Sequence, residues 1–151
     1  MERFVYAQTN YSKIVRELKN AKKETHWMWF IFPQLDGLVP NPSHMSKYYA
    51  IKSGNDAKEF LKHPILGKRL VKVTNIILKL EETNPEIIFG KTDSVKLQSS
   101  LTLFDAVGRH LAHFQLHLYF FSSCTFATFA ATPFDVKTES TCLIASDFRF
   151  R

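Results

Sequence analysis

Six consecutive large apolar side chains, Trp27 to Phe32, stand in the stretch His26-Trp27-Met28-Trp29-Phe30-Ile31-Phe32-Pro33-Gln34, which holds both tryptophans of the chain. Each such side chain gains roughly 1.5 to 3 kcal/mol on leaving water, so the run cannot stay solvated. It has to become a core element or the wall of a pocket. A continuous apolar run suits a buried strand as well as a buried helix. Thr25, placed to cap, and Pro33, placed to terminate, favour a short helix.

The flanking sequence is helical in its spacing. Tyr11, Ile14, Val15, Leu18 and Ala21 line one face of a helix that Asn10 is placed to cap, with Lys13, Arg16, Lys19, Lys22 and Lys23 on its other sides. Gly37 to Pro42 reads as a loop. Ser43 caps a helix carrying Met45, Tyr48, Tyr49 and Lys52, and Ser53-Gly54-Asn55-Asp56 opens another through Ala57, Phe60 and Leu61. His63-Pro64 breaks it, and Pro64 is placed to start a helix with a stripe of Leu66, Leu70, Val73, Ile77 and Leu80. Pro85 begins a short turn that stops at Gly90. Thr92 or Asp93 then caps a helix with Leu97, Ser100, Leu101 and Phe104 on one face and Gly108 at its exit.

The pattern predicts an all-α, compact single-domain bundle of about six helices over residues 1–108. Residues 109–151 differ: they hold eight of the 14 phenylalanines, few charges and no helical stripe, and Leu116-His117-Leu118-Tyr119-Phe120 alternates like a strand. We expect an irregular or partly β-like tail that is not an independent domain and that packs poorly. Cys124 and Cys142 lack the spacing of a disulfide framework or a zinc knuckle, and no apolar run reaches the ~18 residues of a membrane span. A cytoplasmic protein is expected. The net charge of +6 is interleaved with Glu17, Glu24, Glu59, Glu81 and Glu82 rather than clustered, which argues against a nucleic-acid platform.

Several blocks coincide with one family: Arg3-Phe4 with Ala7-Gln8, Glu17-Leu18 leading into the aromatic stretch, and Tyr49-Ala50-Ile51. With them come His63-Pro64, Leu66-Gly67, Arg69-Leu70, Ile88-Phe89-Gly90, Asp93, Lys96-Leu97, Ser99-Ser100 and Thr102-Leu103-Phe104. Over about residues 1–107 the chain resembles the Domain of Unknown Function 1810 family. The resemblance implies a small, mostly helical protein without established biochemistry. Such proteins often carry the label calpastatin, which fails physically, because an inhibitor of that kind is repetitive and poor in hydrophobic residues. The chain departs from the family where Val39-Pro40-Asn41-Pro42 lengthens a loop, and after Gly108, where the family's closing helices are not recognisable. An alternative or misassigned exon would produce so abrupt a change.

Within the matching blocks, Trp27, Trp29 and Gln34 suit a planar heterocycle, since indole offers an apolar face and an N–H. His26 and His63 suit a general base, a ligand contact or a hydrogen-bonded core residue. Lys96, Ser99 and Ser100 fall at i, i+3 and i+4, so a helix face presents an ammonium beside two hydroxyls. A lysine-activated serine would need a desolvated lysine and an oxyanion hole, neither of which the sequence supplies. Binding of an anion by Lys96, Arg69, Ser99 and amides near Asp93 and Ser94 is the milder reading. His110, His113 and His117 have helical spacing but no accompanying carboxylate motif, so no metal site is assigned. No cofactor is assigned either. The reading is a domain that binds a small anionic or nucleotide-like ligand in a pocket lined by the aromatic motif, with an enzymatic role left open. The alternative is a non-enzymatic interaction or structural module whose motif is core. Oligomeric state stays open.

Overall fold

The computed structural model describes residues 1–108, and these are all-α. Eight helices follow in order: α1 (Glu2–Ala7), α2 (Tyr11–Lys19), α3 (Met28–Ile31), α4 (His44–Tyr48), α5 (Gly54–Lys62), α6 (Leu66–Ile77), α7 (Pro85–Phe89) and α8 (Lys91–Gly108). The count exceeds the six expected because α1 and α7, of six and five residues, are too short to show a periodic stripe. The only strand-like pairing among the described residues is an isolated parallel bridge between Leu35 and Ile51. The expected tail, its three histidines and both cysteines lie outside the described residues.

Local chemistry explains most of the boundaries. Ser43 and Ser53 cap as their sequence positions suggest, their hydroxyls accepting from the amides of Ser46 and Asp56. Asn84 does the same for α7 through the Glu86 amide, with Pro85 in the first turn. Three expected helix starts are corrected, and Asn10, which does stand at the N-cap of α2, makes no side-chain cap bond there. Thr25 caps nothing, because its hydroxyl is drawn to Glu17, and Trp27 occupies the position before α3. Neither Thr92 nor Asp93 caps α8, which starts at Lys91 directly after Gly90, a residue at φ 77°. Pro64 does not start α6 either: the helix begins at Leu66, and His63 Nδ1 accepts from the amides of Ile65 and Leu66 at 3.3 and 3.4 Å. Ala21 lies past the end of α2 at φ 51° and closes the turn there.

Aromatic contacts tie the bundle together. Phe60 of α5 stands edge-on to Phe4 of α1 with ring centroids 5.1 Å apart, and lies 5.2 Å from Phe104 of α8. Trp27 meets Phe89 of α7 edge-on at 6.2 Å and Phe32 at 6.4 Å. Leu66, Leu70, Val73 and Ile77 are buried along α6 as their spacing predicts, though Leu80, the expected end of that stripe, lies past the helix and is half-buried; Leu97, Ser100, Leu101 and Phe104 are buried on α8. On α4, by contrast, Met45 and Tyr48 are exposed. Among the described residues no helix is long and apolar enough to cross a membrane.

Helices α5 and α6 meet at Gly67, where an added Cβ would run into the Leu61 carbonyl. Helix propensity alone would make Gly67→Ala stabilising by about 1 kcal/mol. The close approach reverses the sign, and we expect a loss of about 1–3 kcal/mol from overpacking, measured by urea unfolding of the variant. A neutral or stabilised Gly67→Ala protein would show that the two backbones separate freely.

Candidate functional site

The aromatic stretch is positioned by one carboxylate. Glu17 belongs to the apolar face of α2, between Ile14 and Leu18, and is 5% exposed. Its Oε2 accepts from the backbone amides of Glu24 (2.9 Å) and Thr25 (3.0 Å) and from Trp27 Nε1 (2.7 Å), while Oε1 accepts from the Thr25 hydroxyl. Burial works against the charged form, but these donors outweigh it and hold the carboxyl down at about 2. An ionised carboxylate with four donors therefore fixes the path of residues 20–27 and the plane of the first tryptophan.

From that anchor, α3 divides its side chains. Trp27, Met28, Ile31 and Phe32 are buried, whereas Trp29 and Phe30 are only half-buried. The Trp29 indole lies 6.4 Å from the exposed His26 imidazole, with ring planes inclined by 30°. The Lys96 ammonium stands 5.3 Å from the Trp29 ring, near enough for a cation–π attraction. Trp29 Nε1 is buried and has no hydrogen-bond partner among the described residues.

Lys96 is held by Asp93 at 2.9 Å, one turn earlier on α8, and the other oxygen of Asp93 binds Lys23 at 2.6 Å. Lys23 in turn stands 5.4 Å from the Trp27 ring, and its amide donates to the Ile88 carbonyl at 2.8 Å. Burial opposes ionisation of Asp93, and the hydrogen bonds and charges of the two lysines overcome it, leaving its carboxyl below the usual range. One carboxylate thus serves two ammonium groups, each above a tryptophan. The Lys96 ammonium is the charge that stands at the Trp29 ring.

The nine candidate residues therefore separate. His26, Trp29 and Lys96 come together; Trp27 belongs to the core through Glu17. Ser99 donates to the Val95 carbonyl at 3.0 Å, and Lys96 goes to Asp93, so the hydroxyl and the ammonium do not form a nucleophile pair. Ser100 is fully buried with an unpartnered hydroxyl. Gln34 acts through its backbone: its carbonyl accepts from Ile51 N at 2.8 Å, beside the Leu35–Ile51 bridge. His63 serves the start of α6. Arg69 reaches the carbonyl (3.1 Å) and side-chain oxygen (3.4 Å) of buried Gln8, whose Nε2 donates to the Phe30 carbonyl at 2.7 Å. Arg69 also stands 4.7 Å from the Tyr11 ring, and the Tyr11 hydroxyl donates to the Arg69 carbonyl at 2.9 Å. Burial raises the Tyr11 phenol to about 12, against the opposing charge of Arg69. Glu17, Lys23 and Gln8 are absent from the nine candidates, and Asp93 enters the sequence reading only as a cap and through amides near it; the available signal for Glu17 is a carboxylate placed within an apolar stripe.

The chain matches, over residues 1–131, the family described as protein of unknown function (DUF1810). That span runs beyond residue 107, where the resemblance in sequence was expected to stop. Among solved structures it is similar to the conserved hypothetical protein Rv1873 from Mycobacterium tuberculosis, at 43% identity and a TM-score of 0.67, covering 70% of this chain and 75% of that one. No match was found among curated proteins.

The Glu17 geometry gives stability a definite pH dependence. Because its folded value lies below the unfolded one, its contribution is present in full above the ordinary glutamate range and is lost as pH falls toward 2. A depression from 4.5 to about 2 corresponds to on the order of 3 kcal/mol. Urea unfolding at pH 7, 5 and 3 should show that Glu17→Gln is less stable at pH 7 and loses less than wild type on acidification. Parallel profiles would contradict the assignment.

Proposed function

We propose a binding function for this chain, which belongs to the DUF1810 family: it takes up a small anionic ligand with a planar part against Trp29, Lys96 and His26. The observation that carries this reading is the buried Trp29 N–H without a partner. An orphaned donor costs about 1–3 kcal/mol, so a site that keeps one is explained by an acceptor that arrives with a ligand. The Lys96 ammonium at the Trp29 ring favours an anionic acceptor. The inclined rings of His26 and Trp29 supply apolar faces for the planar part. A nucleotide-like molecule combines both features. The proposal is for binding, and it assigns no reaction to these residues.

The alternative, an interaction or structural module whose motif is core, accounts well for Trp27 and for the engaged Arg69, His63 and Gln34. It leaves Trp29 unexplained. The two readings separate in a thermal-shift screen of metabolite anions, because a ligand that binds only the folded state stabilises it by about 2.7 kcal/mol at a hundredfold excess over its Kd. We expect anionic planar compounds to raise the midpoint of the wild-type protein and to do so far less for Trp29→Phe, which lacks the N–H, and Lys96→Gln, which lacks the charge. Hits that stabilise both variants as strongly as wild type would favour the core reading.

A further inference from the structure

Charges that alternate in the sequence separate in the fold. Helices α2 and α6 carry six basic residues, Lys13, Arg16, Lys19, Lys68, Arg69 and Lys72, and one acidic residue, Glu17, whose carboxylate is buried and satisfied by its four donors. The other described residues hold ten basic and ten acidic side chains, so the net positive charge of residues 1–108 falls on these two helices. They pack against each other: the Tyr11 hydroxyl donates to the Arg69 carbonyl at 2.9 Å, and the Arg69 guanidinium lies 4.7 Å from the Tyr11 ring.

With Arg69 engaged in this way, the other five cations are exposed, each on the side of its helix opposite the buried stripe. Among the described residues none of the five belongs to an ion pair. Lys68 and Lys72 stand at i and i+4, and Lys13, Arg16 and Lys19 follow at steps of three, spacings at which like charges repel each other. The surface is short of negative charge. Ser12 and Asn75 are the remaining exposed residues of the two helices, so every exposed side chain there is a hydrogen-bond donor and none is apolar or acidic.

We propose that α2 and α6 form a docking surface for duplex nucleic acid, held through its phosphate backbone without regard to sequence. A duplex carries one negative charge per ~1.7 Å of its axis, and phosphate oxygens take their hydrogen bonds largely from Lys, Arg, Ser and Asn side chains. Recognition of this kind acts through the summed field over a Debye length of about 8–10 Å, so the cations need not converge on one point. At 1.5 Å per residue, Lys13 to Lys19 span about 9 Å of α2 and Lys68 to Lys72 about 6 Å of α6, room for several phosphates. No aromatic residue is exposed on either helix, which disfavours a single strand, because its bases are held by stacking. The lack of an exposed apolar side chain likewise leaves nothing to insert into a lipid surface or to anchor a protein partner. This surface and the Trp29 site are separate readings, and neither rests on the other.

Fluorescence anisotropy of the full chain with two labelled duplexes of unrelated sequence, each about 20 base pairs long, tests this through the salt dependence. Both duplexes should bind with Kd values within about twofold of each other, and log affinity should fall linearly with log salt at a slope of about −3 to −4. The double variants Lys68→Gln/Lys72→Gln and Lys13→Gln/Lys19→Gln, at exposed positions, should each weaken binding at least about fivefold at low salt and make the slope shallower by about 2. Lys52→Gln/Lys91→Gln removes as much charge from exposed positions outside the two helices and should change Kd by less than about twofold. Absence of binding at low salt, an unaltered Kd in either helix variant, or an equal loss in the Lys52/Lys91 variant would overturn the proposal. Tighter binding of a single strand of the same length would also overturn it, as would capture of phosphatidylserine vesicles with the duplexes left unbound.

Discussion

The placement of the aromatic stretch depends on Glu17. A carboxylate taken out of water is costly unless its lone pairs are satisfied, and here two amides, a hydroxyl and an indole N–H do so. Three of these four donors come from the irregular segment that follows α2, so satisfying the charge and fixing the chain path are one event. Trp27 is the fourth donor, and through it the carboxylate also sets where α3 begins. A methionine at position 17 would suit the apolar stripe of α2 equally well, but it would give residues 24–27 nothing to bond to.

Once Trp27 is fixed, the remaining aromatic residues have little freedom. Helical geometry puts Met28 and Ile31 on the same side as each other, and both are buried; the same geometry turns Trp29 and Phe30 toward the margin. Each marginal residue then acquires its own polar surroundings. Trp29 gains Lys96 and His26. Phe30 gains Tyr49 on its ring and the Gln8–Arg69 chain on its carbonyl. The stretch is therefore both a core element and a boundary, which the sequence posed as alternatives.

What could be read from the sequence follows the range of the interactions involved. Ser43 and Ser53 act within three residues of themselves, so their capping roles were legible from spacing. The buried stripes of α6 and α8 were legible because burial repeats with the helical period. Asp93 was misread as a cap, since its partners include Lys23, 70 positions away and invisible to any local pattern. Thr25 looked like a cap for the same reason, its true partner lying eight residues back. Arg69 and His63 stand out in the sequence, and in the structure Arg69 Nη1 bonds to Gln8 while His63 Nδ1 accepts from nearby amides. Of the nine candidate residues, His26, Trp29 and Lys96 lie near one another, and the supporting Lys23–Asp93 pair has no local signal in the sequence.

The pairing of two lysines with one aspartate holds both ammonium groups at the tryptophans without their dispersing into solvent. A lone ammonium beside an indole is held weakly, by roughly 0.5–1 kcal/mol where water competes. Asp93 adds a hydrogen-bonded ion pair to each, and its low solvent exposure limits screening. Had Asp93 spent its carboxylate on the backbone at the start of α8, Lys96 and Lys23 would repel each other across the two tryptophans. Instead the aspartate draws residue 23, just before the residues that bond Glu17, onto the first turn of α8. The carboxylate of α8 thus grips residue 23 and the carboxylate of α2 the residues that follow it, 24–27, so that the chain entering α3 is fixed at consecutive positions and Trp29 with it.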